Sequence, residues 1–296
     1  MKKRNIILVG FIILSLLTGF LFLIAIIINS FLLEDGIWDK GDKIALINIE
    51  GIITDSRDII KQITKYKEDS SIKGIVLNIN SPGGGVAPSQ EIYKEILKLH
   101  DNNKKVVVSM GSLAASGGYY IACAADRIVA NPGTITGSIG VIMTFSNIEE
   151  LMKKIGFKID VIKSGRYKDI GSPNRSITDE ERDILQEVID DVYDQFIEAV
   201  AKGRKMDSGR VKELADGRVF SGRQAQQIGL LDELGNLQDA FSIMAEMVGI
   251  KGKPKIVEER KKKGFLFRYF TERFSSICFP DNLNHTNFGL HYLWFY

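Results

Sequence analysis

The hydrophobic positions of this chain fall into three kinds of run. The first extends from Ile6 to Ile28, contains no charged residue and is almost entirely Ile, Leu, Phe and Val. As a helix rising about 1.5 Å per residue it would reach roughly 35 Å, enough to cross a hydrocarbon core of about 30 Å. The second kind is short and unbroken: Lys43–Ile49, Gly74–Ile79, Lys105–Ser109, Arg127–Ala130, Ile139–Thr144 and Lys158–Ile162. Continuous apolar runs of this length predict strands buried on both faces. The third kind has helical spacing and covers Arg57–Tyr66, Ser89–His100, Ala114–Ala125, Asn147–Ile155, Asp179–Arg204, Ser208–Ala215, Ser221–Gln227 and Asn236–Met247. Strands that alternate with helices predict an α/β fold with a mostly parallel sheet.

These runs divide the chain into a tip (1–5), a transmembrane anchor (6–28), a linker (29–42), one folded domain (43–250) and a C-terminal tail (251–296). The apolar run is longer than the roughly 7–15 residues of a signal-peptide core, and it lacks a small-x-small cleavage site. It is therefore expected to be retained as a single-pass anchor. Lys2, Lys3 and Arg4 precede it while Glu34 and Asp35 follow. The positive-inside rule then places the N-terminus in the cytoplasm and the folded domain on the extracytoplasmic side of the cell membrane.

Charge and composition remove several classes of function. The net charge is +2, and part of that excess sits in Lys2–Arg4 and Lys261–Lys263, leaving an acidic remainder. No basic nucleic-acid face is expected. The two cysteines, Cys123 and Cys278, are far apart with no metal-ligand spacing around them. Cys123 reads as a small buried residue. No metal or other cofactor is expected.

Two stretches could carry chemistry. Ser116 follows a strand at the start of a helix, between Ala115 and Gly117. Small neighbours let other backbone approach it, and a helix N-terminus favours developing negative charge. Ser81-Pro82-Gly83-Gly84-Gly85 also ends a buried strand, and its N–H groups could meet an oxyanion. Neither a phosphate-loop nor a dinucleotide spacing occurs. A serine nucleophile needs a base. Only His100, His285 and His291 are present, and no Gly-x-Ser-x-Gly elbow accompanies them, so a Ser-His-Asp triad fits poorly. A buried lysine can serve instead. Composition alone leaves open which lysine.

Four motifs in order then narrow the choice: Asn80–Gly85, Ala115–Tyr120, Gly137–Val141 and Gly165–Asp169. In this order they resemble the bacterial signal peptide peptidase A family in its short form, over roughly residues 43–250. The resemblance implies a Clp protease/crotonase-like fold and a serine endopeptidase with a Ser/Lys dyad. It makes Ser116 the nucleophile, Lys168 the general base and Ser138 the lysine-orienting hydroxyl. It also makes Gly83 an oxyanion-hole donor with Gly117 a second, and leaves Lys163 as the competitor for the base. It further implies a homo-oligomer, an octamer, in which neighbouring protomers complete each dyad. Its substrates would be signal peptides left in the membrane after secretion. The readings set against this are a crotonase-type acyl-CoA enzyme and a non-catalytic membrane scaffold. The aromatic tail reads as a loosely docked end, with docking into a groove of the protein's own site set beside it as the alternative.

Overall fold

The computed structural model describes residues 13–25, 42–259 and 291–293, the last as backbone only. Two compact units divide the chain, 1–41 and 42–296. In the first, residues 13–25 form helix α1 with exposed apolar side chains. No helix among the described residues is long and apolar enough to cross a membrane. The flanks of the expected anchor, 6–12 and 26–28, lie outside the described residues, as does most of the linker.

The second unit is built on an eight-stranded sheet. Its strands are β1 (Lys43–Glu50), β2 (Ile72–Ser81), β4 (Lys105–Ala115), β5 (Arg127–Ala130), β6 (Ile135–Gly137), β7 (Val219–Ser221), β8 (Glu233–Leu234) and β9 (Lys255–Glu258). The main order is β7-β6-β4-β2-β1-β9, with β5 between β4 and β8, and only β6–β7 is antiparallel. A separate antiparallel pair joins β3 (Gly83–Gly85) to β10 (His291–Leu293). The helices are α2 (Arg57–Glu68), α3 (Val86–His100), α4 (Gly117–Ala122), α5 (Glu149–Lys154), α6 (Asp179–Arg204), α7 (Ser208–Leu214), α8 (Gly222–Gln227) and α9 (Leu237–Met247).

The unbroken apolar runs have the expected cause. Successive side chains of a strand point to opposite faces, and here both faces are covered. Ile44, Leu46, Val76, Val107 and Val129 pack with Ala240, Phe241 and Met244 of α9. Ala45, Ile47, Ile75, Leu77, Val106 and Val108 face the other way, into a core completed by Ile92 and Ile96 of α3 and Phe196 of α6. The sheet thus has an α/β, mostly parallel, doubly covered architecture.

Some elements depart from expectation. Ala114 and Ala115 continue β4, so the helix expected over 114–125 begins only at Gly117. Ile139–Thr144 is no strand; the short strand lies earlier, at Ile135–Gly137, where it pairs with Leu113–Ala115. Lys158–Ile162 is also no strand. Every residue of it is exposed, and Ile162 reaches 102% relative exposure, so it has apolar composition without a pairing edge or a covered face. At the other end, Lys255–Glu258 adds β9 beside β1, beyond residue 250.

Helix α6 begins and ends at the expected residues because its boundaries are local. Thr178 caps it in a box with Glu181, and Lys205 closes it in the left-handed conformation.

Candidate active site

The carboxyl end of β4 and the segment after β2 meet at Ser116. This serine follows β4 directly, with φ of 53° and ψ of −117°. A non-glycine residue there stores roughly 1–3 kcal/mol of strain, which the surroundings must sustain. They do so from both sides: the Ser116 N–H donates to Gly137 O at 2.8 Å, and Ser116 O accepts from Tyr120 N at 2.8 Å. Ser116 is 1% exposed. Ser138, one residue beyond Gly137, carries a similar strain with φ of 49°, and its N–H donates to Arg218 O at 2.8 Å.

The glycine segment is locked against the nucleophile. A Cβ on Gly117 would come within 2.6 Å of Ser89 Oγ, 3.2 Å of Gly84 N and 3.3 Å of Gly83 Cα. Only a glycine after Ser116 allows β3 to lie this close. Ser89, fully buried on α3, donates from Oγ to Gly85 O at 2.9 Å and ties β3 to its helix. On the other side Ile53 N–H donates to Gly83 O at 2.9 Å, and Gly85 N–H donates to Ile53 O at 2.8 Å. The Gly83 N–H, expected to face an oxyanion, donates here to the buried Ser81 Oγ at 3.0 Å. A change of the Ser81 χ1 rotamer would swing Oγ away and release the donor.

Gly83 and Gly117 abut each other beside Ser116, and Ser138 follows the Gly137 carbonyl to which Ser116 N–H donates. Lys168 is joined to them by no hydrogen bond or ion pair among the described residues. It lies on an exposed turn, where its N–H donates to Gly165 O at 3.2 Å, and it makes no ion pair among the described residues. Lys163, the competing lysine, is committed to Asp169. The segment leading to this turn exposes Ile142, Leu151, Ile155, Phe157 and Val161. Beside Ser138 a cleft of about 520 Å³ opens between Val141, Ile142, Tyr193 and Gly217.

Sequence reasoning passed over three contributors. Ser81 is visible in the sequence only as a member of its motif. Ser89 bonds back to Gly85 in the first turn of α3, a contact hidden by the expectation that this helix begins at Ser89 itself. The cluster of Asp169, Arg175 and Glu181 escaped because its members come together only through the fold.

One further feature lies on β3. The backbone of β10 runs antiparallel along it, with Leu293 opposite Gly83, Tyr292 opposite Gly84 and His291 opposite Gly85. The outer edge of the glycine segment thus accepts an extended peptide by main-chain pairing.

A strained serine after a parallel strand, abutting a glycine segment that pairs with extended backbone, describes an α/β serine peptidase of Clp protease-like fold. Residues 42–134 match the Clp protease family model, and residues 98–251 match Peptidase family S49. A protein assigned as a protease from Synechocystis is 46% identical over 209 residues, 70% of this chain and 75% of that one. A protein assigned as signal peptide peptidase A from Enterococcus faecium is 40% identical, with 71% of this chain and 64% of that one covered. Protease 4 of Haemophilus influenzae is 38% identical over 71% of this chain, which spans only 36% of that protein. The chain belongs to peptidase family S49 and is a serine peptidase. That membership speaks against the acyl-CoA reading.

Proposed function

We propose that this chain is a membrane-anchored endopeptidase that degrades apolar peptides, remnant signal peptides among them, through an acyl-enzyme on Ser116. The observation that carries the reading is the contact of strained Ser116 and Gly117 with Gly83–Gly84, whose outer edge pairs with extended backbone. A substrate lying along β3 has its carbonyl presented between nucleophile and oxyanion donor. Ser116 Oγ attacks the carbonyl carbon while Lys168 takes its proton. The Gly83 N–H stabilises the oxyanion, with Gly117 the second donor. The C–N bond then breaks, and the lysine returns the proton to the leaving amine. Water, deprotonated by the same lysine, releases the acyl group and regenerates Ser116. Ser138 orients the amine.

Lys168 acts on the Ser116 of a neighbouring copy. Two features support this: the lysine is exposed on its own chain, and the segment before it exposes a row of apolar side chains. Such a row calls for cover, and cover is also what lowers a lysine toward neutrality. A ring of copies, an octamer in the family this chain resembles, would supply it. The apolar run 6–28 would hold the assembly at the outer face of the membrane, within reach of its substrates.

The test uses the full chain in detergent micelles with a fluorogenic apolar peptide. Ser116→Ala and Lys168→Ala should each abolish cleavage while still assembling. Mixing and reassembling the two dead proteins should restore part of the activity, since some interfaces then pair an intact serine with an intact lysine. Full activity in either single variant would end the dyad assignment. No recovery on mixing would end the assignment across protomers.

A further inference from the structure

Among the described residues Lys168 makes only its turn bond to Gly165, yet the carboxylate of the next residue accepts from both Lys163 and Arg175. Asp169 Oδ2 accepts from Arg175 Nε at 3.1 Å, and its Oδ1 accepts from Arg175 Nη2 at 2.9 Å. The same guanidinium donates to both oxygens of Glu181, with Nη1–Oε2 at 2.7 Å, and to the main-chain oxygens of Asp169 and Ser176. Each N–H of Arg175 thus finds an oxygen. Glu181 is 3% exposed and accepts from Thr178 N as the partner in the α6 cap. Helix α6 is anchored in turn by Phe196 and Val200, both fully buried.

We propose that Arg175 is a positioning residue for the general base, clasping the Lys168 turn to the start of α6 and cancelling the charge of Asp169 beside that lysine. The inference rests on the Ser116/Lys168 reading. Isolated surface ion pairs contribute little, but a fork that binds two carboxylates bidentately fixes geometry as well as charge. Only arginine, with its planar set of donors, can join Asp169 and Glu181 in this way.

The charges around the turn explain why the clasp reaches the chemistry. Lys163 and Arg175 balance Asp169 and Glu181, so the cluster is neutral. Other carboxylates nearby also face cations: Glu180 pairs with Arg166, and Glu149 of α5, which also holds Ser176, shares Lys153 with Glu150. Arg175 and then Lys163 hold the Asp169 carboxyl well below the usual range, so it stays ionised at any working pH. Without Arg175 the cluster would carry a net negative charge next to Lys168. A nearby opposite charge favours the ammonium form, typically by about 1–3 pH units when close. The base would then be silenced at pH values where it now works.

The experiment is a pH profile of kcat/KM for the full chain in detergent, with assembly checked by size-exclusion chromatography. Arg175→Met should move the acid limb upward by about one unit, roughly a tenfold loss of rate on that limb. Arg175→Met/Asp169→Asn, which restores the charge balance, should bring the limb back. Arg175→Lys should keep the limb near its place but lower kcat, since the charge survives without the fork. A merely structural role would depress activity equally at every pH, and that result would overturn the proposal. Should Arg175→Met fail to assemble, Asp169→Asn alone decides: its limb must move downward, and an unmoved limb refutes the charge argument. Lys168→Ala runs alongside. If it keeps wild-type activity, the base assignment itself has failed; if it is dead while the limbs stay fixed, only the role of Arg175 has.

Discussion

Replacing Gly117 with alanine probes the joint between nucleophile and oxyanion segment with a single methyl group. Gly117 has an ordinary helical backbone, so Gly117→Ala costs no torsional strain and acts only through contacts. The new Cβ would stand 2.6 Å from Ser89 Oγ, 3.2 Å from Gly84 N and 3.3 Å from Gly83 Cα. The hydroxyl can rotate, but that gives up its bond to Gly85 O, a net contribution of about 1 kcal/mol. The two backbone atoms must retreat by a few tenths of an ångström, and β3 moves with them. Overpacking of this kind costs about 1–3 kcal/mol of stability. The catalytic cost should be larger in proportion, because displacing a reacting group by about 1 Å can cost a factor of ~100. We expect kcat to fall by roughly ten- to a hundredfold with a smaller change in KM, measured with the fluorogenic peptide after counting reactive serines with a fluorophosphonate. Adding Ser89→Ala removes the shortest clash and should recover part of the loss. Wild-type kcat in Gly117→Ala would refute the claim that this close approach sets the site.

Four further outcomes are expected. Truncation after Lys263 removes β10 from the β3 edge and should raise the cleavage rate of added peptide; an unchanged rate, with unchanged assembly, would dismiss the tail as a competitor. Arg204→Ala leaves the Asp232 carboxylate, which is 17% exposed where Arg204 is 8%, with only Arg127 at 3.6 Å and the Ile128 N–H, and should cost about 1–3 kcal/mol in denaturant unfolding. Burial pushes the Asp232 carboxyl up, but the bonds from Arg204 and the Ile128 N–H outweigh it and hold it below the usual value. That contribution is therefore complete above about pH 4 and lost as pH falls through the depressed folded value, so Asp232→Asn should flatten the acid side of the stability curve. Finally, burial raises the Cys123 thiol to about 12. In a Cys278→Ser background the native protein should resist a maleimide at pH 8 and react once unfolded; rapid native labelling would contradict the packing of α4.

The long helices and the position of Ser116 at a strand end could be read from the chain because their causes are local. Thr178 with Glu181 caps α6 within four consecutive residues, and Ser116 is placed by small neighbours at a strand end. Apolar runs were less decisive. Gly74–Ile79 became the middle of a strand because β1 and β4 flank it, whereas Lys158–Ile162, of similar character, found no strand to pair with. A strand is a property of two segments, and one segment cannot announce its partner.

The site shows the same division. Sequence alone determined that a serine, a glycine segment and a later lysine occur in a peptidase order. It also determined that the chain carries an apolar run long enough to be an anchor. Only the tertiary structure decided that Gly117 must be bare because Gly83 and Gly84 press on it, and that Ser81 holds the Gly83 N–H. The same is true of Arg175, which binds Asp169 and Glu181 so that the Lys168 turn stands fixed while its lysine faces outward. The reason is distance along the chain. Caps and amphipathic periods act over a few residues, but contacts such as Gly117 against Gly83 and Gly84 or β10 on β3 exist only after the backbone has been brought together, and the energies that select them are packing and pairing energies of the folded whole.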